Sequence, residues 1–501
     1  MGGGRSGSSS SHGISRRTAI GTMTAAAAGW TIVPRAVLGG QGRPAPSDRL
    51  TIGCIGVGSQ GLRVMMDFLQ QPDVQVVAVC DVNRGSHDFV EWWEHELRDK
   101  ARKLLGPQYA SWGGSEDPYT GGPAGLEPAR SVVEGYYSTA ERSGTFKGCA
   151  AFQDYRELLA KTRDVDAVVV GTPDHLHAHV SIAALRAGKH VFCQKPMAHS
   201  VFEAGEMARA AREAGRATQV AVGNQASEAT RLLCEWIWSG AIGPVREVVN
   251  WSSRPFWPQG IPRPETSEPV PPHLNWDLWL GPAPFRPYHA AYQPFVWRGW
   301  YDFGAGAIGD MGCYSFDTIF RALKLEAPAA IEASSTEKLD ASFPRATIAH
   351  FDFPARVEMP PVRVTWYDAG LKPPTPPELE GAALENEGLL FVGDTGKILC
   401  GFNGDKPRLI PQSRMDAFTP PPPTLPRSPG NEREWIDACR GGAAGGANFE
   451  FTARVTDAIL LANVAMRAGK RVVWDAAARQ VTNELEANQY LRREYRDGWA
   501  L

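Results

Sequence analysis

The segment GKHVFCQKPM (188–197) places Lys195 where a short apolar strand ends, with Pro196 fixing the backbone behind it. Lysine is strongly hydrated and rarely buried without a partner. A lysine pinned at a strand mouth therefore suits a site that uses its charge or its proton. A second constellation lies far upstream. Gly56-Val57-Gly58-Ser59-Gln60-Gly61 follows the apolar run LTIGCI, and Asp81 closes the next apolar run, 20 residues after Gly61. Glycines permit a tight turn and bring a pyrophosphate close to the amides at a helix N-terminus, where the dipole favours negative charge. Asp81 is then expected to accept hydrogen bonds from an adenosine ribose. GxGxxG alone is a weak signal, but here it stands between a strand pattern and a helix pattern, as dinucleotide binding requires. Asp81 favours NAD, whereas Arg84, three residues on, blunts that preference and leaves NADP as the alternative. The third group is Thr172-Pro173-Asp174-His175-Leu176-His177-Ala178-His179. Histidines at i, i+2 and i+4 with no further clustered ligand are not a metal signature. No metal is expected, and His175 and His179 read as helix-start or packing residues.

The elements around these residues alternate. Apolar strands at 50–58, 75–81, 166–172, 190–193 and 218–224 are separated by amphipathic helices, including 155–162 and those beginning near His177 and Phe202. Strands apolar throughout and separated by helices argue for a parallel sheet covered on both faces. The expected fold class is α/β, with an N-terminal Rossmann doubly wound sheet over 48–224. An insertion at about 107–148, rich in Gly, Pro and Tyr, is too long for an ordinary connection and reads as a surface flap or an oligomer arm. Residues 225–501 differ in texture: eight of the sixteen tryptophans lie between 236 and 300. Their aromatic faces serve either sugar stacking or a core.

Composition leaves room for an enzyme. A chain of 501 residues with 43% apolar and 21% charged residues supports two or three domains with real cores. The net charge of −3 gives no electrostatic case for a nucleic-acid partner or an anionic membrane surface. Eight scattered cysteines without a C-x-x-C pair support neither a disulfide framework nor a zinc site; buried thiols are expected.

Taken in order, the glycine turn, TPDHLH and the Lys-Pro dipeptide resemble the glucose–fructose oxidoreductase/inositol dehydrogenase (Gfo/Idh/MocA) family over about residues 48–475. The resemblance implies a C-terminal α+β domain with a large open, mostly antiparallel sheet, whose open face makes homodimers or homotetramers. It implies a hydride transfer between nicotinamide and a sugar, polyol or glycoside. The family pattern Glu-Lys-Pro is Gln194-Lys195-Pro196 here. Lys195 would lie beside the nicotinamide, bind the substrate hydroxyl and, with its pKa lowered by desolvation and a cationic neighbour, act as acid or base. Thr172 and Pro173 would shape the loop under the nicotinamide, with His177 opening the helix on the cofactor side and Gln194 beside it. In GAIGDMGCYSFD the family's Asp-x-x-x-His becomes Asp310 and Tyr314. A tyrosine, with a reference pKa of about 10, is a poorer base than histidine, which moves the proton work to Lys195.

Two further activities share this fold: NAD-dependent glycoside hydrolysis or elimination through transient oxidation at C3, and a catalytically silent carbohydrate- or partner-binding homologue. Residues 1–47 carry an address. Ser15-Arg16-Arg17-Thr18 precedes the mild apolar run GTMTAAAAGWTIV, which resembles a twin-arginine export signal. The run is too short and too rich in Ala and Gly for a membrane span. Periplasmic export without a retained membrane anchor is expected, with a cytoplasmic location if the signal does not function.

Overall fold

A computed structural model describes residues 1–2, 48–113, 121–139, 142 and 146–501. The Arg16-Arg17 pair lies outside the described residues.

Eight strands form in the first half: Leu50–Ile55 (β1), Val74–Cys80 (β2), Ser86–Phe89 (β3), Gly122–Ala124 (β4), Ala150–Phe152 (β5), Ala167–Val170 (β6), His190–Cys193 (β7) and Thr218–Val220 (β8). Six of them make a parallel sheet in the order β5-β2-β1-β6-β7-β8, and β3 and β4 pair as a separate hairpin. This is the doubly wound order, with its switch point between β1 and β6. Most residues of β1, β2, β6, β7 and β8 are buried, because helices cover both faces, whereas the edge strand β5 is half-buried. Register decides where the chemistry goes. Ile55 pairs with Cys80 and with Val170, Val170 pairs with Cys193, and Cys80 pairs with Phe152. The strands therefore end level, and Gly56, Asp81, Gln153, Gly171 and Gln194 leave them along one rim.

Three helices flank that rim: Ser59–Leu69 (α1), Asp174–Arg186 (α2) and Val201–Ala214 (α3). Ser200 caps α3, its hydroxyl accepting from the Glu203 amide at 3.2 Å, and Gly215 ends it in the left-handed conformation. The stretch 107–148 does not form a free flap throughout. Its segment Leu126–Tyr137 is a helix that buries Ala129, Val132 and Val133 in the same cluster as β1 and β2. It takes the place of the ordinary crossover helix between β2 and β5. The amphipathic spacing of those residues was outweighed by the Gly/Pro-rich flank.

The second half builds a nine-stranded sheet: Val245–Trp251 (β9), Ala330–Ser335 (β10), Thr347–Phe353 (β11), Val362–Tyr367 (β12), Gly388–Gly393 (β13), Lys397–Cys400 (β14), Arg408–Ile410 (β15), Val472–Asp475 (β16) and Gln480–Val481 (β17). Its order is β15-β14-β13-β9-β12-β11-β10-β16-β17, antiparallel except between β9 and β12. Helices Gly306–Leu323 (α4) and Phe449–Ala468 (α5) share a core with one face through Phe316, Phe320, Ile459, Phe351 and Trp366. The strand β11 alternates buried and half-buried residues, as a sheet with one covered face should. Of the eight tryptophans between 236 and 300, all but Trp238 are buried, most of them in core clusters, while Trp257, Trp279 and Trp297 also line the cavity described below.

The two halves interlock. Helix Asn431–Cys439 returns to the first half, where Trp435 packs edge-on against Phe68 and Phe192 at 5.4 and 5.5 Å. Arg433 clamps Asp73 with two hydrogen bonds of 2.8 and 2.9 Å.

Candidate functional site

A cavity of about 550 Å³ runs along the strand rim and is closed from the other side by the start of α4 and the loops before it. Its walls include Gly56, Gly58, Ser59, Gln60 and Asp81 at one part, and Thr172, Pro173, Gln194, Lys195, Asp310 and Tyr314 at another. Gly61 and His177 stand behind the wall.

The glycine turn has no room for side chains. Gly56 has φ +79°, and a Cβ on it would sit 2.5 Å from the Thr172 amide nitrogen. A Cβ on Gly61 would lie 1.8 Å from the Gly56 carbonyl oxygen, so Gly61 serves the close packing of α1 on the turn rather than ligand contact. Asp81 accepts hydrogen bonds from the Val57 amide at 2.7 Å and the Asn83 amide at 2.8 Å, one on each oxygen. A carboxylate has further lone pairs for a ribose. Burial raises its pKa to about 6, against the opposing pull of those amides.

Around Lys195 the structure forms an ion cluster. Lys195 Nζ lies 3.0 Å from Asp310 Oδ1 and 3.2 Å from the Asp310 carbonyl, and Arg298 Nε donates to the same Oδ1 at 3.1 Å. The Tyr314 ring centroid is 5.1 Å from Nζ. Asp310 and Tyr314 sit one turn apart on α4, which is why they share a face. Burial works to lower the lysine pKa, but the Asp310 carboxylate, with smaller help from Tyr314 and Cys313, outweighs it, and Lys195 is held above its ordinary value. The lowering expected beside a cationic nicotinamide is opposed by the Asp310 counter-ion, which lies 115 residues away in sequence. The Asp310 pKa is lowered from its ordinary value: burial would raise it, but Lys195 and Arg298 prevail. Burial pushes the Tyr314 phenol up, with Lys195 opposing.

Asp174, at the start of α2, is buried beside this cluster. Burial and then the Asp310 charge push its pKa up to about 8. Its Oδ2 accepts from the Ala305 amide at 3.1 Å, fixing the entry to α4, while Oδ1 has no partner. The three histidines are held by carbonyls: His175 Nε2 by Trp279 at 2.8 Å, His179 Nε2 by Trp499 at 2.8 Å, and His177 by Pro196 at 2.7 Å and Thr172 at 2.8 Å. Burial lowers all three, His177 to about 4; a neutral His177 ring donates to one of its two carbonyls, and it sits between the two loops that carry Thr172 and Lys195. Among the described residues, no group of three or more His, Cys, Asp or Glu could hold a metal ion. All eight cysteines are free, and all but Cys439 are buried.

A dinucleotide fits these residues. The glycine cradle excludes any Cβ, and three buried polar atoms on the cavity wall lack partners: Thr172 Oγ1, Gln194 Nε2 and Asp174 Oδ1. Beyond Lys195 the wall is aromatic, with Trp257, Phe295 and Trp297, and Trp92 reaches over from the hairpin side to within 6.1 Å of Phe295. Sequence alone did not point to Arg298 or Asp174. The Trp-rich stretch was the available signal for the collar, and nothing local marked Arg298.

Comparison with known proteins agrees with this architecture. Residues 127–222 match the family profile described as oxidoreductase family, NAD-binding Rossmann fold, and residues 247–350 match that of the same family's C-terminal alpha/beta domain. Levoglucosan dehydrogenase of Pseudarthrobacter phenanthrenivorans is 32% identical over 143 residues, 27% of this chain and 36% of the relative. A glycosyl hydrolase family 109 protein of Saccharopolyspora erythraea is 28% identical over 213 residues, 40% of this chain and 37% of that protein. The matches thus span little more than a third of these curated relatives. The WlbA dehydrogenase from Bordetella pertussis, solved with NADH and UDP-GlcNAcA, superposes with a TM-score of 0.52 at 16% identity, covering 85% of this chain and 99% of that one. That likeness is one of fold. Both domain profiles of the Gfo/Idh/MocA oxidoreductase family thus match this chain in sequence order, and both sheets are in place.

Proposed function

We propose that the chain is an NAD(P)-dependent oxidoreductase that moves a hydride between nicotinamide and a hydroxyl-bearing carbon of a sugar, polyol or glycoside. The observation that carries this reading is the Lys195–Asp310–Arg298 cluster, which shares one cavity with the glycine turn and Asp81. A nicotinamide, when bound, supplies a hydride acceptor or donor at its C4 atom. Lys195 handles the proton. As an ammonium it hydrogen-bonds the substrate oxygen, and it gives that oxygen a proton when a carbonyl is reduced. In the opposite direction the amine takes the hydroxyl proton after releasing its own. Asp310 orients Nζ and sets its charge, and Arg298 donates to the same Asp310 oxygen, so that two cations hold one carboxylate in place. Asp174 is a positioning residue, holding the entry of α4. Tyr314 offers a hydroxyl that donates rather than a phenolate base.

Native mass spectrometry for a retained nucleotide, followed by single-turnover reduction of bound NAD with a panel of sugars, tests the proposal. Failure to bind any nucleotide would leave the silent, carbohydrate-binding reading. The similarity to a glycosyl hydrolase family 109 protein supports a second reading, glycoside cleavage through transient oxidation. It is distinguished by glycoside consumption without net NADH formation.

Two expected outcomes concern cofactor and location. Asp81→Asn removes one ribose acceptor, so its affinity for NAD falls more than its affinity for NADP; parallel titrations that change equally would reject the ribose role. Replacing Arg16-Arg17 with Lys-Lys leaves folded protein in the cytoplasm if the twin-arginine segment directs periplasmic export. An unchanged periplasmic yield would reject that route. No described helix is long and apolar enough to cross a membrane. Homodimers or homotetramers through the second sheet remain part of this proposal, read out by solution mass.

A further inference from the structure

The cavity continues past Asp81, away from Lys195. In the order β5-β2-β1-β6-β7, Lys195 follows β7 and Asp81 follows β2. A dinucleotide with its pyrophosphate at the glycine turn and its ribose at Asp81 must send the attached base outward, toward the end of β5. The wall there is made by Cys80, Val82 and Asn83 from the β2 end and by Gln153, Asp154 and Tyr155 from the β5 end. One residue in this wall comes from an unexpected place. Trp499 lines the same cavity, is 7% exposed, and lies 6.3 Å from the Tyr155 ring and 4.6 Å from the Arg156 guanidinium.

The segment that carries Trp499 is fastened at several points. Arg493 binds Glu203 at 2.9 Å and the His175 carbonyl at 2.6 Å. Arg496 binds Asp277 at 2.6 Å and the Gly281 carbonyl at 2.8 Å. His179, neutral because burial lowers its pKa to about 3, donates from Nε2 to the Trp499 carbonyl at 2.8 Å. Fastening of this kind is more than a loose end requires. It sets an indole between the second helix of the sheet and the helix Trp276–Leu280.

The geometry points to Trp499 as the wall of the adenine slot, a cofactor-binding residue contributed from the end of the second half. This rests on the dinucleotide reading above. An aromatic wall recognises the flat face or edge of a purine and is indifferent to the nicotinamide. Its removal therefore weakens every ligand that carries the adenosine half and no ligand that lacks it.

Calorimetric titration of the full chain with NAD, AMP and nicotinamide mononucleotide tests this. Trp499→Ala should weaken NAD and AMP about tenfold, in line with about 1–3 kcal/mol for one base–aromatic contact, and leave the mononucleotide unchanged. Trp499→Leu fills the apolar site without the ring, so it provides a folded variant should the alanine substitution destabilise the tail; the same selective loss is expected. Trp93→Ala, exposed and off the cavity, controls for general effects on the N-terminal half. Wild-type affinity for NAD and AMP retained in both Trp499 variants would overturn the assignment. Equal weakening of the mononucleotide would overturn it too, by showing a global effect. No NAD binding by the wild-type chain would instead sink the dinucleotide reading, and the wall with it.

Discussion

Lys195→Ala should abolish hydride transfer while leaving nucleotide binding near normal. General acid–base groups contribute about 10² to 10⁴ in rate, and this lysine also holds the substrate oxygen, so the loss should fall at the upper end of that range. Nζ makes its polar contacts with Asp310, not with the glycine turn or Asp81, which is why cofactor affinity is spared. Single-turnover nicotinamide absorbance separates the two effects. Tyr314→Phe is the matched comparison: it keeps the ring beside Nζ and removes one hydroxyl. A loss of about tenfold, near the worth of one hydrogen bond, is expected. If the phenylalanine variant lost as much as the alanine variant, the proton role would be shared with Tyr314. Full activity in Lys195→Ala would reject the chemistry proposed for the site.

Asp310→Asn should be the most damaging change to the structure of the site. The carboxylate faces two buried cations, Lys195 and Arg298, through a single oxygen. Removing one partner from a buried ion cluster costs about 3–5 kcal/mol. The pH dependence follows from the two shifted groups. The pKa of Asp310 is depressed on folding, so its stabilisation is present above the unfolded carboxylate range and is lost as pH falls through the folded value. The pKa of Lys195 is raised, so its share is present below the ordinary lysine range and is lost as pH rises through the folded value. The stability gap between wild type and Asp310→Asn should accordingly be widest around neutrality and narrow at both extremes, as denaturant titrations across pH would show. Without the carboxylate, burial pulls Lys195 down, and the pH–rate limb belonging to the lysine should move toward acid. A limb that stays in place would mean that Asp310 does not set the lysine's charge.

What could be read without coordinates was local. The turn Gly56–Gly61, the closing Asp81 and the lysine after β7 each carry their reason within a few residues, and the register of β1, β2, β6 and β7 brings them to one rim. The charge state of Lys195 depends on a partner on α4, a relation no periodicity encodes. Arg298 was invisible for the same reason: its environment of Phe295 and Trp297 rings, at 4.4 and 4.2 Å, looks like ordinary loop sequence. The partner of His179, the Trp499 carbonyl, lies 320 residues away. The helix within 107–148 was hidden by a glycine- and proline-rich neighbour that dominated the composition of the window.

The return of helix Asn431–Cys439 to the first half has a consequence for how the protein comes into being. Phe68 and Phe192 are wholly buried, and Trp435 closes over both. That aromatic lid emerges from the ribosome roughly 200 residues after β8. At about 5–20 residues per second, the nascent Rossmann sheet waits some ten to forty seconds with an open apolar face. The two halves therefore cannot mature one after the other like beads on a string. They reach their final state together, and an intermediate with its first sheet formed and uncapped is the species a chaperone would meet.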